Sequence, residues 1–306
     1  MEFIKILFNY LILPGFLFTA IIGMFLTWID RKVTARVQMR VGPPWYQPYA
    51  DFFKLLLKET LIPEGASKVL FYLGPILGLV SMSILSVMIF RMNFSPADSF
   101  VGDIIVMIYL LALPPIGVII GGSVSKNPLA SVGASREMTQ YFAYELPFLV
   151  VVAGIVLKAG GTIKFGEIIQ WQRANGPFLY SISGIIFAII FLLVLQAKLG
   201  FVPFDIPEAE QEIMAGPYIE YSGVALAIYK ITRAMMLFLL PLFMISLLWG
   251  GIGDWWAVLK FLLIIVLIIL IKNTNPRLRI DQALRFFWIF LGILSIIGLV
   301  LAVNGL

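Results

Sequence analysis

The sequence predicts an all-α polytopic membrane protein of about eight transmembrane helices joined by structured cytoplasmic loops. Hydrophobic residues make up 61% of the 306 residues and charged residues only 13%, and the mean hydropathy is +1.00. Several uninterrupted apolar runs reach the roughly 20 residues that a helix needs to cross a bilayer. The whole chain, 1–306, is therefore predicted to be a single transmembrane domain.

The apolar runs place the predicted spans near residues 3–29, 69–93, 101–124, 139–158, 179–197, 220–249, 255–272 and 285–303. The first run is interpreted as a transmembrane helix and not as a cleaved signal peptide, because it is long and leads into a basic loop without a small-residue cleavage site. Most lysines and arginines lie in the loops at about 30–68, 125–138, 198–219 and 273–284. By the positive-inside rule these loops face the cytoplasm and both termini lie outside the cell membrane.

The chain contains no cysteine and no histidine. The usual ligands of iron–sulfur clusters, haem and zinc are therefore missing, as is the side chain most often used for acid–base chemistry near neutral pH. We expect no catalytic residue, metal or cofactor in this chain. The net charge of +5 lies mainly in loops between spans, which indicates orientation in a lipid bilayer and no nucleic-acid partner.

The most informative stretch runs from Lys198 to Gly223 and is rich in acid. It contains five of the 17 acidic residues, Asp205, Glu208, Glu210, Glu212 and Glu220. Its prolines predict short helical pieces joined by fixed bends. If residues 208–213 form a helical turn, Glu208 and Glu212 share one face and repel unless a cation compensates. Interleaved aromatic and aliphatic residues argue against the alternative, a solvated linker.

The first loop, Asp30 to Gly65, is basic at its start and proline-rich in its middle. Its end, Tyr49 to Leu61, is predicted to be an amphipathic helix with Asp51 and Lys54 near one face and Glu59 near another. A helix that merely lies among lipid head groups is the alternative interpretation.

Ionisable residues inside predicted spans are candidates for function, because a charge at membrane depth is costly unless it is paired or hydrated. Glu145 enters span four beside Pro147, and Lys230 and Arg233 lie three residues apart in span six. We expect Arg136, or Lys230 and Arg233, to be the cations near these carboxylates. The alternatives are a permanent structural ion pair for Glu145 and snorkelling to the interface for the two span-six cations.

Three segments carry a family resemblance: IDRKVTARVQMRVGPPWYQPYADFFKLLLKE, SREMTQYFAYELP and PFDIPEAEQEIMAGPYIEYSG. They resemble the cytoplasmic motifs of the membrane subunit that docks the peripheral arm in respiratory complex I and in energy-converting membrane-bound nickel–iron hydrogenases. PEAEQEI followed by GP and EYSG is more similar to the hydrogenase type. Span six departs from the quinone type, because Ile231 and Thr232 stand near Lys230 where an acidic residue is usual.

The resemblance implies a non-catalytic subunit of an oxidoreductase complex that anchors a peripheral redox arm and couples electron transfer to proton or sodium translocation. The implied partners are cluster-bearing and large catalytic peripheral subunits, which hold iron–sulfur clusters and a nickel–iron centre, and antiporter-like membrane subunits. The resemblance places Glu145, Asp205, Glu208, Glu210, Glu212, Glu220, Asp51 and Glu59 in the motifs of the coupling path. We add Lys230 and Arg233 to this path from their position in span six, close to the acidic loop, whose carboxylates they could neutralise.

The loops at 30–65 and 198–223 are predicted to form one docking platform, basic from the first loop and acidic from the second. The residues expected to contact the partner are Arg36, Arg40, Lys54, Arg136, Trp45, Tyr46, Phe201 and Phe204. Two alternatives stay open: the equivalent subunit of a quinone- or sulfur-reducing relative of complex I, and a stand-alone secondary transporter that binds its substrate at the proline-broken segment.

Overall fold

The structure is a computed structural model that describes residues 2–306, apart from the side chains of residues 2, 3, 5, 6 and 210. This part of the chain is helical and contains no β-strand. The helices are α1 (Glu2–Leu11), α2 (Phe16–Val37), α3 (Gln47–Leu57), α4 (Lys68–Phe94), α5 (Asp103–Val124), α6 (Pro128–Lys158), α7 (Phe165–Asn175), α8 (Ile182–Lys198), α9 (Glu210–Ile213), α10 (Gly223–Leu248), α11 (Ala257–Thr274), α12 (Ile280–Arg285) and α13 (Gly292–Val303), with a π-helical segment (Phe286–Leu291) between the last two.

Seven helical segments of the described chain are long and apolar enough to cross a membrane. They are Leu7–Val37, Lys68–Phe94, Asp103–Val124, Pro128–Lys158, Gly223–Leu248, Ala257–Thr274 and Ile280–Val303. The remaining predicted span is the apolar 17-residue helix α8. The prediction of an all-α polytopic membrane protein is confirmed.

Helix α10 is the centre of the bundle. Of its most apolar stretch, 94% is buried inside the protein, against 22% for α11, and it contacts α2, α3, α4, α8 and α11. A helix that is apolar on every side and buried on every side belongs to the interior of a bundle. Gly74 of α4 and Gly117 of α5 let these two helices approach closely, since a Cβ on Gly74 would lie 2.6 Å from the Gly117 carbonyl oxygen.

Two predicted boundaries were wrong because polar residues extend the helices beyond the apolar runs. The first predicted span is two helices, since Pro14 lies in the break between α1 and α2, and α2 then continues past Ile29 to Val37. Helix α6 begins at Pro128, so most of the predicted loop 125–138 is helical. Asn127 caps this helix by accepting a hydrogen bond from the Leu129 amide at 2.9 Å, and Pro128 suits its first turn.

Helix α3 ends at Leu57, four residues before the predicted end. The extended segment that follows is bonded to the start of α10 instead. Thr60 Oγ1 accepts from the Val224 amide at 3.0 Å, and the Leu61 amide donates to Ser222 Oγ at 3.1 Å. Glu59 therefore lies outside the amphipathic helix on which it was predicted.

The connections 38–67, 199–222 and 275–279 meet at one end of the bundle, which we call the loop face. The first two are joined through Leu61 and Ser222, and the last two through a hydrogen bond from the Leu278 amide to the Pro203 carbonyl of 3.1 Å. Residues far apart in sequence are thereby brought together at this face.

Candidate functional site

The acids of the 199–222 segment are held by cations from different elements of the bundle. Glu208 is bound by Arg233 of α10, with contacts of 2.7 and 2.5 Å to its two carboxylate oxygens. The same guanidinium donates to the carbonyls of Leu199 at 2.9 Å and Gly200 at 2.7 Å. One arginine therefore fixes both ends of the 199–208 stretch, with Nη1 on the Glu208 carboxylate and Nε and Nη2 on the two carbonyls, a rigid set of donors that lysine cannot reproduce.

The sequence suggested that Glu208 and Glu212 share one helical face, but in the structure they do not. Residues 206–208 form a 3₁₀ turn that ends before the short helix α9. Glu212 therefore points to a different cation, Arg136 of α6, at 2.7 Å. The predicted compensation of these acids by cations is present, but it comes from two separate arginines.

Asp205 forms an ion pair of 2.7 Å with Arg277, in the connection before α12. Burial raises the pKa of Asp205 even though the Arg277 charge acts in the opposite direction. Its other oxygen, Oδ1, is buried and has no hydrogen-bond partner. Burial therefore favours the protonated form of Asp205, which can take up a proton more readily than a solvated aspartate.

The other predicted acids, Glu220 and Glu59, differ in their surroundings. Glu220 accepts a hydrogen bond of 2.6 Å from Asn127, whereas Glu59 is exposed. The prediction for the Glu210 side chain lies outside the described residues.

Glu145 is paired with Lys198 of α8 at 2.7 Å. The predicted cations are not its partners: Arg136 is bound to Glu212 and Arg233 to Glu208, and Lys230 forms no ion pair with Glu145. The side chain of Lys198 is 1% exposed and that of Glu145 is 12% exposed. The Lys198 ammonium also lies 4.8 and 4.6 Å from the ring centroids of Tyr144 and Phe148. Two opposite charges are therefore enclosed between α6 and α8.

Two further ion pairs join α2 to its neighbours α3 and α11. Asp51 of α3 accepts from Arg31 at 3.0 Å and from Gln47 at 2.8 Å. Burial would raise the pKa of Asp51, but these hydrogen bonds outweigh it and lower the pKa. Asp30 of α2 is bound by Lys272 of α11 at 2.6 Å.

A cavity of about 500 Å³ lies between α2, α3, α10 and the 199–222 segment. Four of the ion pairs line it: Asp30–Lys272, Asp51–Arg31, Asp205–Arg277 and Glu208–Arg233. Lys230 lines this cavity as an exposed side chain, and no ion pair involves it among the described side chains. The cavity residues are Met24, Thr27, Asp30, Arg31, Pro48, Asp51, Phe52, Gly200, Phe201, Val202, Asp205, Glu208, Lys230, Ile231, Arg233, Ala234, Leu237, Lys272 and Arg277.

The predicted docking residues are mostly accessible. Arg36, Arg40 and Lys54 are exposed, and Trp45 and Tyr46 are 61% and 54% exposed.

Two of the predicted aromatic anchors differ from this pattern. Phe204 is a correction, because it is 1% exposed and packs against Phe286 and Phe287, with ring centroids 5.9 and 4.8 Å away. A side chain buried in this way cannot be an anchor for a partner. Phe201 is half-buried under the cations of Arg233 and Lys272.

Sequence reasoning did not assign a role to two buried glutamines that bond to the 199–222 segment. The Gln140 amide donates to the Phe204 carbonyl at 2.8 Å, and the Gln196 amide donates to the Val202 carbonyl at 2.8 Å. Both glutamines keep a buried, unpartnered oxygen. A polar residue inside an apolar run is a usable signal for such positions, and Gln196 and Lys198 at the end of α8 carried it.

No group of three or more acidic residues in the described part of the chain could hold a metal ion. The site consists of the ion pairs around the cavity together with the buried Lys198–Glu145 pair. Such an arrangement can redistribute protons and charge.

Comparison with known proteins assigns the fold to a family. The family model described as NADH dehydrogenase matches residues 10–303. The chain belongs to the NADH dehydrogenase family. It is similar to a subunit of the NADH-quinone oxidoreductase from Geobacillus kaustophilus, with 34% identity over 94% of this chain and 91% of that protein. The corresponding NADH-quinone oxidoreductase subunit from Dehalococcoides mccartyi is 32% identical over 97% of this chain and 86% of that protein.

The same family fold occurs in a solved respiratory assembly. A chain of the membrane-bound sulfane sulfur reductase, an archaeal respiratory membrane complex, superposes with a TM-score of 0.88 and 28% identity, covering 97% of this chain and 99% of that one. The similarity extends over essentially the full length of both chains, so the loop face is included in it.

Proposed function

We propose that this protein is the membrane subunit of a complex I-like respiratory assembly, which anchors peripheral redox subunits and couples their electron transfer to proton or sodium translocation. The observation that supports this most strongly is the set of ion pairs at the loop face. Asp205, Glu208 and Glu212 lie in one connection, yet each is bound to a cation from a different part of the chain. The cations are Arg277 of the connection before α12, Arg233 of α10 and Arg136 of α6. A displacement of this connection by a bound partner would change three charge pairs at once.

Two buried glutamines contact the connection from within the bundle. Gln140 and Gln196 donate to carbonyls of the 202–204 stretch, Gln140 also donates to the carbonyl of Ala197 beside Lys198 at 3.3 Å, and the side-chain oxygens of both are buried without a partner. Buried acceptors without donors call for a proton or an internal water. In this proposal a change at Asp205 or Glu208 is transmitted to the Lys198–Glu145 pair, and Glu145 passes the charge to antiporter-like membrane subunits.

The docking partner approaches the loop face, which carries exposed Arg36, Arg40, Trp45 and Tyr46. The chain offers no cysteine or histidine for clusters, so the redox cofactors lie in the partners. We place the loop face in the cytoplasm and both termini outside the cell membrane, because the basic residues are concentrated in the connections of that face.

The loop motif PEAEQEI favours a hydrogenase-type assembly with a nickel–iron partner. A sulfur-reducing assembly is the second candidate, and the full-length similarity to a chain of the sulfane sulfur reductase favours it.

Purification of the tagged chain from native membranes in mild detergent tests the proposal. We expect cluster-containing subunits to accompany the chain in fixed stoichiometry, and hydrogen evolution or polysulfide reduction by that preparation to separate the two candidates. A chain that elutes alone from membranes retaining either activity, and that transports a solute after reconstitution, would instead identify a secondary transporter.

A further inference from the structure

The exposed side of α5 carries a tyrosine at the middle depth of the bundle. Tyr109 is 70% exposed. Helices α4 and α5 meet where Gly78 faces Pro114, since a Cβ on Gly78 would lie 3.4 Å from the Pro114 Cα. From Pro114, Tyr109 lies five residues, or about 7.5 Å, toward the end of the bundle opposite the loop face, which we call the outer end. Tyr109 is therefore level with Ser83 of α4, two residues from the middle of that helix at Ser81.

Glu145 of α6 lies at nearly the same depth as Tyr109. Gly122 of α5 is level with Ala134 of α6, because a Cβ on Gly122 would lie 3.1 Å from the Ala134 Cβ. Tyr109 is thirteen residues from Gly122 toward the outer end. Glu145 is eleven residues from Ala134 in the same direction, so the two differ by about 3 Å in depth. Tyr141, one turn before Glu145, is close to both, since Glu145 and Tyr109 act on its hydroxyl electrostatically.

Three oxygens at this side of the bundle have no hydrogen-bond partner among the described residues. They are the hydroxyls of Tyr109 and Tyr141 and one carboxylate oxygen of Glu145, because only Glu145 Oε2 is bonded to Lys198. The lipid tails at the middle of a bilayer neither donate nor accept hydrogen bonds, so leaving polar groups unpaired there is unfavourable. The exposed residues around these oxygens are apolar, namely Ile105, Val106, Phe142 and Leu146.

The occupant that suits this surface is apolar except for one neutral polar group. Lys198 already compensates the charge of Glu145, so a further charge opposite them would be unpaired at membrane depth. A neutral side chain that both donates and accepts can donate to the free Glu145 oxygen and accept from the Tyr109 hydroxyl. Serine, threonine, asparagine, glutamine and a protonated carboxyl group all meet this requirement.

We propose that this side of α5 and α6 packs against a transmembrane helix of another membrane subunit, which places a neutral hydrogen-bonding side chain opposite Tyr109 and Glu145. Polar side chains of this kind hydrogen-bond across helices within membranes. The inference rests on the proposed function, because it names the surface through which Glu145 meets a membrane subunit.

The test is photo-crosslinking in the assembled complex purified from membranes, with Tyr109→p-benzoylphenylalanine. Peptide mass spectrometry should find position 109 linked to a transmembrane segment of another membrane subunit, within one helical turn of a neutral polar residue. Val266→p-benzoylphenylalanine is the control at matched depth, because Val266 is 57% exposed near the middle of α11. This position should be linked to lipid.

Tyr109→Phe tests the hydrogen bond itself. It should raise the dissociation constant of the linked subunit about fivefold, since one hydrogen bond between transmembrane helices contributes that much. Native mass spectrometry at falling protein concentration measures this constant. Tyr180→Phe is the control, because Tyr180 is 79% exposed at the outer end, and it should leave the constant unchanged.

Crosslinking of position 109 to lipid alone in an assembled complex would overturn this inference and leave the proposed function standing. Equal dissociation constants for wild type and Tyr109→Phe would do the same. A preparation that contains no other membrane subunit would overturn both the inference and the proposed function.

Discussion

Lys198 and Glu145 form an ion pair of 2.7 Å between two helices of the bundle, and the lysine side chain is 1% exposed. The two residues are separated by 53 positions in the sequence. Removing both charges from water is costly, and their attraction offsets that cost only while the pair stays intact. A buried pair of this kind responds strongly to any movement that separates its partners, which suits it to the coupling step proposed above.

The contributions of Lys198 and Glu145 to the free energy of unfolding should be coupled. Lys198→Met leaves Glu145 charged and buried, so we expect unfolding of the detergent-solubilised complex to become easier by about 3–5 kcal/mol. Lys198→Met combined with Glu145→Gln removes both charges and should recover most of that loss. Thermal and denaturant unfolding measure the double-mutant cycle, and additive effects of the two substitutions would contradict the coupling.

The anchoring role of the loop face predicts loss of partners on charge reversal. Arg36→Glu together with Arg40→Glu places negative charge on an exposed surface that we expect to meet a complementary partner. The peripheral subunits should then be released from washed membranes, as measured by immunoblotting of pellet and supernatant. Reversal of Arg91 is the control, because Arg91 is exposed in the last turn of α4, at the end of that helix opposite to the loop face. Full retention of the subunits in the double variant would be inconsistent with docking at this surface.

Arg233 is expected to hold the 199–208 stretch in place. Arg233→Lys loses the fork that spans Glu208 and the carbonyls of Leu199 and Gly200. We expect the local opening free energy of residues 199–208 to fall by about 1–3 kcal/mol. Hydrogen-exchange mass spectrometry measures this as faster exchange in that peptide, with α13 as the unchanged internal reference. Unchanged protection would mean that packing and not Arg233 fixes the stretch.

Asp51 provides a pH-dependent contribution to the stability of the loop face. Its pKa is lowered in the folded chain, so the carboxylate contributes stability at pH values above about 4, and that contribution is lost as the pH falls through the lowered pKa. Asp51→Asn should therefore lower the unfolding temperature at neutral pH, and the difference from wild type should shrink toward pH 3. A difference that is constant from pH 7 to pH 3 would argue against the Asp51 pairing.

Much of the fold could be predicted from the sequence, because apolar runs of bilayer length have few alternatives to a spanning helix. Helix ends within polar segments were harder to predict from the sequence. The start of α6 depends on the cap at Asn127 and the end of α3 on bonds to the start of α10, and neither affects hydropathy. The hydrogen bond between the Val224 amide and Thr60 Oγ1, for example, joins residues more than 160 positions apart.

The site was predicted in its residue types but not in its pairing. The acids of 198–223 and Glu145 were recognised as charges that need compensation. Which cation compensates each acid depends on helix packing, so Lys198, Lys272 and Arg277 were not predicted as partners of particular acids. Phe204 was misassigned because an aromatic residue in a loop motif can equally face a partner or the core.

Glu145 is proposed to relay charge and not only to be a structural partner of Lys198. The most direct test is the number of ions translocated per electron by the assembled complex in proteoliposomes carrying Glu145→Gln, with Glu145→Gln plus Lys198→Gln as a variant that leaves no buried charge unpaired. We expect the double variant to assemble and to transfer electrons while translocation per electron is lost. Wild-type electron transfer and wild-type translocation per electron in both variants would contradict the relay.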